Sequence, residues 1–469
     1  MPSPFHGIEL ASRALRAFQR SLDVTGHNIA NANTRGYTRQ VVDLATTDPV
    51  TYWQNGARSL GTGVQVGSIN RVRDLFLEGR LQAGLSSSNQ FSTIAQGIEG
   101  VLGVMHEPGS DGIGAALDKF FDSWSALSSN PSESANRMAV QQSGKLLASR
   151  IRGTYEQLTG YSANNTSEMQ ALVNQVNNIA ESIASLNTQI REQVATGGTP
   201  NDLADRRDQA IRDLSELVNI STVPLNDGTV NVVVSQFTLV DNTGANALPA
   251  NVDSVNGTLT GWTVPITIRG GKLAGLMQTA QTINREIGSL DQLANTLRTQ
   301  VNAIHTSGIN SYGNTNVQFF NDVASGPQTG AIDFNLSLAV ESDYQEIVAG
   351  AGTVVSGTPT YVAGDTGLAR SLSALRDLSI AALGNRSIKT FHKDSISRLG
   401  SESNYYDNAA GTQDALISQI TEQQQSVSGV NLDEEMSNML RFQRSYQAAA
   451  KVLTIFDQVT EDLLGMLRR

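Results

Sequence analysis

Residues 8–40 read IELASRALRAFQRSLDVTGHNIANANTRGYTRQ. Apolar and small side chains recur in this stretch at alternating steps of three and four residues, which places them on one stripe of a helix. These positions are Ile8, Ala11, Leu15, Phe18, Leu22, Thr25, Ile29 and Ala32. Asn33 and Gly36 then end the helix, because glycine adopts the left-handed conformation of a helix C-cap at no steric cost. The stretch predicts a long amphipathic N-terminal helix, followed by an extended segment over 38–44.

The last segment of the chain repeats this pattern. Its stripe consists of Met439, Phe442, Tyr446, Ala449, Leu453, Phe456, Thr460, Leu463 and Leu467. Asn431 is suited to cap the helix, and the acids at 433–435 interact favourably with the helix dipole. Two terminal helices with one narrow seam each fit a coiled-coil pair better than two core helices. We therefore predict that they pair with each other, and that they are disordered in the free monomer because neither can bury its stripe alone.

Charged residues on the two helices suggest an antiparallel register. Arg13, Arg16 and Arg20 follow one side of the N-terminal helix, and Asp457, Glu461 and Asp462 lie near the C-terminus. Aligning Ile8 with Leu467 brings the two sets together. The hypothesis is that these charges select the register, each exposed pair adding only about 0.2–1 kcal/mol. The alternative is an ordinary solvated charged face.

Between the ends the pattern is mainly helical. Helices are predicted at 72–102, 112–128, 134–161, 167–194, 203–217, 271–305, 368–383 and 387–428. β-Branched residues and turn signals indicate strands in two insertions, 220–269 and 309–367, for example at 230–234 and 264–268. The predicted fold is mainly α with β-rich insertions, in nested layers. A terminal coiled-coil domain comprises 1–50 plus 429–469, a helical middle domain comprises 51–219 plus 270–308 plus 368–428, and the insertions 220–269 and 309–367 form a strand-rich outer domain.

The composition excludes several classes of function. The formal net charge is −11, and the chain has no basic cluster with interleaved aromatic residues, which argues against binding nucleic acid or an anionic membrane. The chain contains no cysteine, so disulfides and thiolate metal sites are excluded. No run approaches the roughly 20 apolar residues of a membrane span. The first residues lack the basic and apolar regions of a cleavable signal peptide.

Catalytic and metal-binding patterns are also missing from the sequence. The five histidines form no helical i, i+4 pair and no H-E-x-x-H motif. Asp205 and Asp208 flank two arginines, and we interpret them as partners in i, i+3 salt bridges on a helix. We expect no enzyme activity, no metal and no cofactor.

Several blocks resemble known proteins. Residues 22–40, LDVTGHNIANANTRGYTRQ, resemble the N-terminal signature shared by flagellar rod, hook and hook-associated proteins, with Arg35 where the family usually has proline. Residues 428–436 (SGVNLDEEM) and 443–452 (QRSYQAAAKV) resemble the C-terminus of the first-type hook-associated proteins, the FlgK family. Internal blocks at 201–208 (NDLADRRD), 290–294 (LDQLA) and 301–305 (VNAIH) agree with that family.

The resemblance implies a structural subunit of the bacterial flagellum, arranged in a ring at the hook–filament junction. It implies secretion by the flagellar type III apparatus. The implied partners are other copies of the chain, the hook protein, the third hook-associated protein and a cytoplasmic export chaperone that binds the C-terminal region. Three alternatives stay open: another axial protein such as the hook protein, an exported enzyme such as a wall hydrolase, and a secreted coiled-coil adhesin.

The expected subunit interface follows from the two stripes and the turn between 28 and 37. On the N-terminal side it comprises Leu15, Phe18, Leu22, Asn28, Ile29, Asn31, Asn33, Gly36 and Tyr37, and on the C-terminal side Met439, Phe442, Tyr446, Leu453, Phe456 and Leu463. We expect Asn28 and Asn31 to form hydrogen bonds between subunits, because buried amides in a helix need partners. The competing interpretation is a helix C-cap and turn alone.

Overall fold

The chain forms two compact units, each assembled from separate stretches of sequence. A computed structural model describes residues 5–53, 57–107, 109–249, 251–253, 258–261, 267–321 and 330–467. Unit 1 comprises Met1–Ser87, Gln175–Leu248 and Thr412–Arg469, and unit 2 comprises Ser88–Asn174 and Pro249–Gly411. The mainly α fold with small antiparallel sheets is confirmed, and the division into three nested domains stays a prediction.

Helices account for most of the described residues. They are α1 (His6–Ala30), α2 (Leu75–Met105), α3 (Ile113–Ser129), α4 (Ser134–Ala195), α5 (Asn201–Leu217), α6 (Gly271–His305), α7 (Leu338–Ser342), α8 (Gly367–Ala374), α9 (Ile388–Ser428) and α10 (Leu432–Leu467). Short 3₁₀ turns cover Tyr344–Glu346 and Ala381–Leu383. The predicted helix over 368–383 is therefore too long, since regular α-helix ends at Ala374.

The prediction of two separate helices over 134–161 and 167–194 is wrong, because α4 is continuous for 62 residues. The polar stretch between them contains neither glycine nor proline, the residues that usually break a helix. Its side chains have local partners instead. Asn165 Nδ2 donates to Leu276 O over 3.0 Å, and Thr166 Oγ1 donates to Ser162 O over 2.9 Å.

All the described sheets are small and antiparallel. A long ribbon pairs β1 (Gln40–Thr46) with β4 (Val64–Arg71), so that Gln40 lies opposite Arg71. The other strands are β2 (Val50–Trp53), β3 (Ala57–Leu60), β5 (Ile220–Pro224), β6 (Val230–Val234), β7 (Phe237–Val240), β8 (Asn251–Asp253), β9 (Thr258–Thr260), β10 (Thr353–Val355) and β11 (Thr358–Thr360). The predicted strand at 230–234 is confirmed as β6, whereas most of the one predicted at 264–268 lies outside the described residues.

Unit 2 has an aromatic core. Phe120 and Trp124 of α3 contact Phe319, whose ring centroid lies 4.8 Å from that of Phe320. His305, at the end of α6, stacks edge-on against the same cluster. The second insertion therefore contributes aromatic side chains to the core that α3 and α6 build.

Candidate assembly site

The terminal helices α1 and α10 pack together in an antiparallel pair. At one end Asn28 Nδ2 donates to Glu435 Oε2 over 3.0 Å. At the other end Gly7 lies against Phe456, and a Cβ atom added to Gly7 would stand 2.4 Å from that ring. Asn28 and Gly7 are 21 residues apart on α1, and their partners Glu435 and Phe456 are also 21 residues apart on α10. The two helices therefore keep a single register along the whole contact.

This register differs from the predicted one. Ile8 lies at the level of Ile455 rather than beside Leu467, so the two predicted charge sets do not meet within one chain. Arg13 instead donates to Glu9 Oε1 over 2.7 Å and to the Thr62 carbonyl. In the part of the chain that the structure describes, no ion pair joins the predicted register charges Arg13, Arg16 and Arg20 to Asp457, Glu461 and Asp462. Weak exposed charge pairs do not outweigh close packing and a buried hydrogen bond at the two ends.

α1 buries more than the predicted stripe, because it contacts both α10 and the β1–β4 ribbon. Ala17, Ser21, Val24 and Asn28 form a second buried stripe with its own steps of three and four residues. Sequence analysis missed it because these side chains are small or polar. The hydroxyl groups are accommodated within the helix: Ser21 Oγ donates to Ala17 O and Thr25 Oγ1 donates to Ser21 O.

The predicted apolar interface residues are covered incompletely within one chain. Those that are half-buried are Leu15, Phe18, Leu22, Ile29, Met439, Phe442 and Leu453, whereas Tyr446, Phe456 and Leu463 are exposed. Further large apolar side chains of α10 are exposed as well, namely Leu432, Met436, Leu440, Val452, Ile455, Val459, Leu464 and Met466. α1 therefore covers one side of α10 only as far as the level of Asp457, where α1 begins, and leaves apolar side chains exposed on the other sides of α10 and beyond that level.

Asn28 is the centre of a buried polar network at the end of α1. Its Nδ2 donates to Gln40 O over 2.8 Å and to Glu435, and its Oδ1 accepts from Gln40 N over 3.0 Å and from Tyr37 Oη over 2.7 Å. The side-chain amide thus uses both of its donors and both acceptor positions. The expectation that this buried amide needs partners is confirmed. Hydrogen bonds to another subunit are not needed to satisfy Asn28, because every bonding position is filled within the chain, and they stay a prediction.

Glu435 connects the network to the start of α10. It is almost completely buried, and Arg39 Nε donates to its Oε1 over 2.9 Å. Arg39 also pairs with Glu434 over 3.0 Å. Asn431 Oδ1 accepts from Asp433 N over 3.0 Å, which confirms the predicted cap. The contacts of Glu435 and Arg39 were not predicted, since the partners are distant along the chain.

The turn after α1 is built from two pieces. Asn31 caps the helix: its Nδ2 donates to His27 O over 3.0 Å, and its Oδ1 accepts from Thr34 Oγ1. Asn33 is exposed and Gly36 comes after the cap, in a four-residue turn closed by Tyr37 N and Thr34 O. Gly36 has a φ of 82°, and an added Cβ would stand 2.8 Å from Gln209 Oε1. The cap was predicted at Asn33 and Gly36, but it lies at Asn31.

The Tyr37 hydroxyl group contacts α1 and lies near three carboxylates of α5 and α10. Its hydroxyl group donates to Asn28 and therefore accepts from His27 Nδ1 over 3.0 Å. Burial, and then the carboxylates of Asp202, Asp205 and Glu435, raise the pKa of Tyr37 above its ordinary value. The phenol stays protonated and keeps its hydrogen bond to Asn28 over the physiological range.

A buried ionic cluster joins α5 to the β1–β4 ribbon. Arg71 Nη1 lies 2.7 Å from both Asp205 Oδ1 and Asp208 Oδ2. Asp208 also pairs with Arg73 over 2.8 Å and with Arg207 over 3.0 Å. Burial alone would raise the pKa of Asp208, but the three arginines lower it below its ordinary value. The predicted i, i+3 salt bridges along α5 are wrong, because the main partners come from the ribbon and the segment after it.

The same cluster supports the network around Asn28. Thr38 N donates to Asp205 Oδ2 over 3.1 Å, and Gln40 Nε2 donates to Asp202 Oδ1 over 3.0 Å. Segment 37–40 is therefore fixed between α1, α5 and α10. Among the described residues there is no group of three or more His, Asp or Glu that could hold a metal ion, and no helix long and apolar enough to cross a membrane.

Comparisons with known proteins agree with this arrangement. A model of the flagellar hook-associated protein FlgK helical domain matches residues 98–320, a model of the flagella basal body rod protein matches 8–38, and a model of the flagellar basal body rod FlgEFG protein C-terminal matches 423–466. The last two cover the segments that form the α1–α10 pair.

Curated relatives match along nearly the whole chain. Flagellar hook-associated protein 1 of Bacillus subtilis is 29% identical over 507 residues, with 99% of both chains covered. The proteins of the same name from Salmonella typhimurium and Escherichia coli are each 26% identical and cover 98% of this chain and 99% of their own. The solved structure of the flagellar hook junction protein FlgK from Burkholderia pseudomallei has a TM-score of 0.59 and 17% identity, covering 76% of this chain and 100% of its own. These matches, which together extend along nearly the whole chain, support a protein of the FlgK family.

Proposed function

We propose that this chain is a structural subunit of the flagellar hook–filament junction, which assembles through its terminal helices and adapts the hook to the filament. The observation that carries the proposal is the uncovered apolar side of α10. Ile455 is 58% exposed, Val459 48% and Met466 75%, and their spacing of four and seven residues places all three on one side of the long regular helix α10. A contiguous exposed apolar surface of this kind marks a site of association.

The terminal pair is suited to act as an assembly joint. α1 and α10 have one register, and the Asn28 network fixes that register at the end where segment 37–40 meets α5. The pair therefore presents its uncovered side in a defined orientation relative to the rest of unit 1. Assembly then buries the apolar side, and this offsets the entropy lost when subunits associate.

The partners follow from the family. Proteins of this family are structural components of the flagellum and assemble with other axial proteins. For this chain we propose other copies arranged in a ring, the hook protein on one side, the third hook-associated protein on the other, and a cytoplasmic export chaperone that holds the C-terminal region before secretion. The prediction that both helices are disordered in the free monomer assumed a single apolar stripe on each; because α1 buries a second stripe against the ribbon, we propose instead that the pair forms before assembly.

Deletion of the gene tests this function. Cells that lack the chain should keep their hooks, lose their filaments and release flagellin monomers into the medium. Expression of the intact chain from a plasmid should restore filaments. Intact filaments on the deletion strain would contradict the proposal.

A second candidate is another axial role, such as that of the hook protein. The matches at 8–38 and 423–466 favour it, because those models describe rod and FlgEFG proteins. The match at 98–320 favours the junction. Immunogold labelling distinguishes the two functions: label confined to one zone at the distal end of the hook supports the junction, and label along the whole hook supports the hook protein.

A further inference from the structure

Two sets of charges in unit 1 lack ionic partners in the described residues. Arg16 and Arg20 on α1 are exposed and four residues apart, and Asp457 and Glu461 on α10 are exposed with the same spacing. None of the four forms an ion pair in the part of the chain that the structure describes. Residues 11–21 contain three arginines and no acid, and residues 452–467 contain three acids and no base.

The observed register keeps these sets apart within one chain. Gly7 lies at the level of Phe456, so Arg20 and Arg16 lie 14 residues along the pair from Asp457 and Glu461, respectively. At 1.5 Å per helical residue this separation is about 21 Å. Because the separation is the same for both pairs, one shift along the helix axis would bring both into contact.

A groove lies beside the arginines, between α1 and the β1–β4 ribbon. We call it the arginine groove, and it has a volume of about 740 Å³. Its lining comprises Arg13, Arg16, Ala17, Arg20, Thr47, Asp48, Val64, Gln65 and Val66. Three arginines oppose one acid, Asp48, so the groove suits a negatively charged segment. Val64 and Val66, which are half-buried, provide apolar surface at the same place.

The end of α10 has the complementary properties. The helix continues for eleven residues beyond Phe456 to Leu467. Besides its acids, this segment exposes Val459, Leu463, Leu464 and Met466. It therefore combines negative charge with apolar side chains, as the arginine groove combines positive charge with apolar surface.

We infer that the end of α10 from one copy docks in the arginine groove of a neighbouring copy, antiparallel to its α1 and displaced by about 21 Å along the helix axis. Arg20 then pairs with Asp457 of the neighbour, and Arg16 with Glu461. The inference rests on the proposed function and specifies its subunit contact. A second copy is the occupant because each copy carries both halves of the complementary surface, and one displacement satisfies both charge pairs. The charges select the register, and the apolar side chains supply the buried area.

Cysteine cross-linking tests the contact directly, because the chain contains no cysteine of its own. In the deletion strain, one variant carries Arg20→Cys with Asp457→Cys, and a second carries Arg16→Cys with Glu461→Cys. A disulfide needs Cα atoms within about 7 Å, so neither pair can close within one chain in the observed register. Flagella isolated under oxidising conditions should yield covalent dimers and larger multimers from both variants. A variant with Arg370→Cys and Asp457→Cys is the matched control and should stay monomeric, since Arg370 is an exposed residue of unit 2.

Immunogold labelling of the same strains distinguishes failure of the docking contact from failure of the proposed junction function. Cysteine variants that are present at the junction but remain monomeric after oxidation would overturn the docking contact and leave the proposed function intact. Absence of the unmodified chain from the junction would overturn the proposed function and the docking contact with it.

Charge reversal provides a second test if the cysteine variants are not incorporated. Arg16→Glu with Arg20→Glu should reduce the number of filament-bearing cells by about tenfold, the change expected from losing two exposed ion pairs. Adding Asp457→Arg with Glu461→Arg should restore the number. The contact would be overturned if the double arginine variant had as many filament-bearing cells as the parent. It would also be overturned if the fourfold variant had no more of them than the double variant.

Discussion

Asn28 Nδ2 donates a hydrogen bond to Glu435 Oε2 over 3.0 Å, although the two residues are 407 positions apart in the sequence. The same amide bonds both backbone groups of Gln40. One side chain thus joins the end of α1, the first strand of the ribbon and the start of α10. The pairing of the chain ends is therefore coupled to the fold of segment 37–40.

Replacing Asn28 by alanine should destabilise unit 1 by about 3 kcal/mol, because a buried carboxylate and two buried backbone groups lose hydrogen-bond partners. Urea unfolding followed by circular dichroism measures the change. Asn33→Ala is the control: Asn33 is exposed in the same turn, and its loss should cost less than about 0.5 kcal/mol. Equal effects of the two changes would contradict the role of Asn28.

Two glycines close together in sequence should respond oppositely to alanine. Gly36→Ala should destabilise by about 1–2 kcal/mol, because its φ of 82° strains a residue with a Cβ and that Cβ meets Gln209. Gly26 lies inside α1 with no atom within 4 Å of an added Cβ, so Gly26→Ala should stabilise by about 0.5–1 kcal/mol. Melting temperatures of the two variants give the signs, and the same sign for both would refute this prediction.

Lowering the pH should reduce the free energy of unfolding of unit 2 because of His305. Its Nδ1 donates to Val317 O over 2.7 Å and its Nε2 accepts from Val348 N over 2.9 Å, so the folded state needs the neutral ring. Burial lowers the pKa of His305 to about 4 from its ordinary 6.5. Since the unfolded chain takes up the proton first, stability falls as pH drops from about 6.5 to 4, with a loss of about 2 kcal/mol between pH 7 and 5. His305→Asn should remove this part of the pH dependence of unfolding, and an unchanged slope would show that His305 is not its source.

Removing Arg71 from the buried ionic cluster should lower the stability of unit 1. Arg71→Ala leaves Asp205 and Asp208 buried without a shared partner, and breaking a buried ion pair in this way costs about 3–5 kcal/mol. Arg35→Ala is the matched control, because Arg35 is 80% exposed and lies 3.8 Å from its nearest acid; it should change stability by less than about 0.5 kcal/mol. Urea midpoints of the two variants provide the comparison. Similar midpoints would show that the cluster contributes little.

Sequence periodicity was sufficient to predict most helices and the pairing of the chain ends. Leu15, Phe18 and Leu22 are large and regularly spaced, so their stripe is visible in one sequence. The second buried stripe of α1 is not visible, because Ala17 and Ser21 also occur at exposed positions and only the contact with the ribbon buries them.

The register and the polar partners were beyond sequence analysis for a physical reason. Exposed charge pairs are weak, so matching Arg16 with Glu461 does not determine how two helices align within one chain. The fit of Phe456 against Gly7 and the Asn28–Glu435 bond determine it. Both depend on positions that only the folded chain brings together.

The most direct test of the assembly role is polar substitution on the uncovered side of α10. Ile455→Glu with Val459→Glu replaces two exposed side chains on the same side of α10, so the fold of the single chain should be unaffected, while burial in an assembly becomes unfavourable. Leu338→Glu is the control, because Leu338 is 83% exposed in unit 2. Electron microscopy of the complemented deletion strain, with the secreted protein quantified alongside, should show normal secretion and no filaments for the α10 variant but normal filaments for the control. Filaments at the parental frequency on cells with the α10 variant would contradict assembly through the terminal helices.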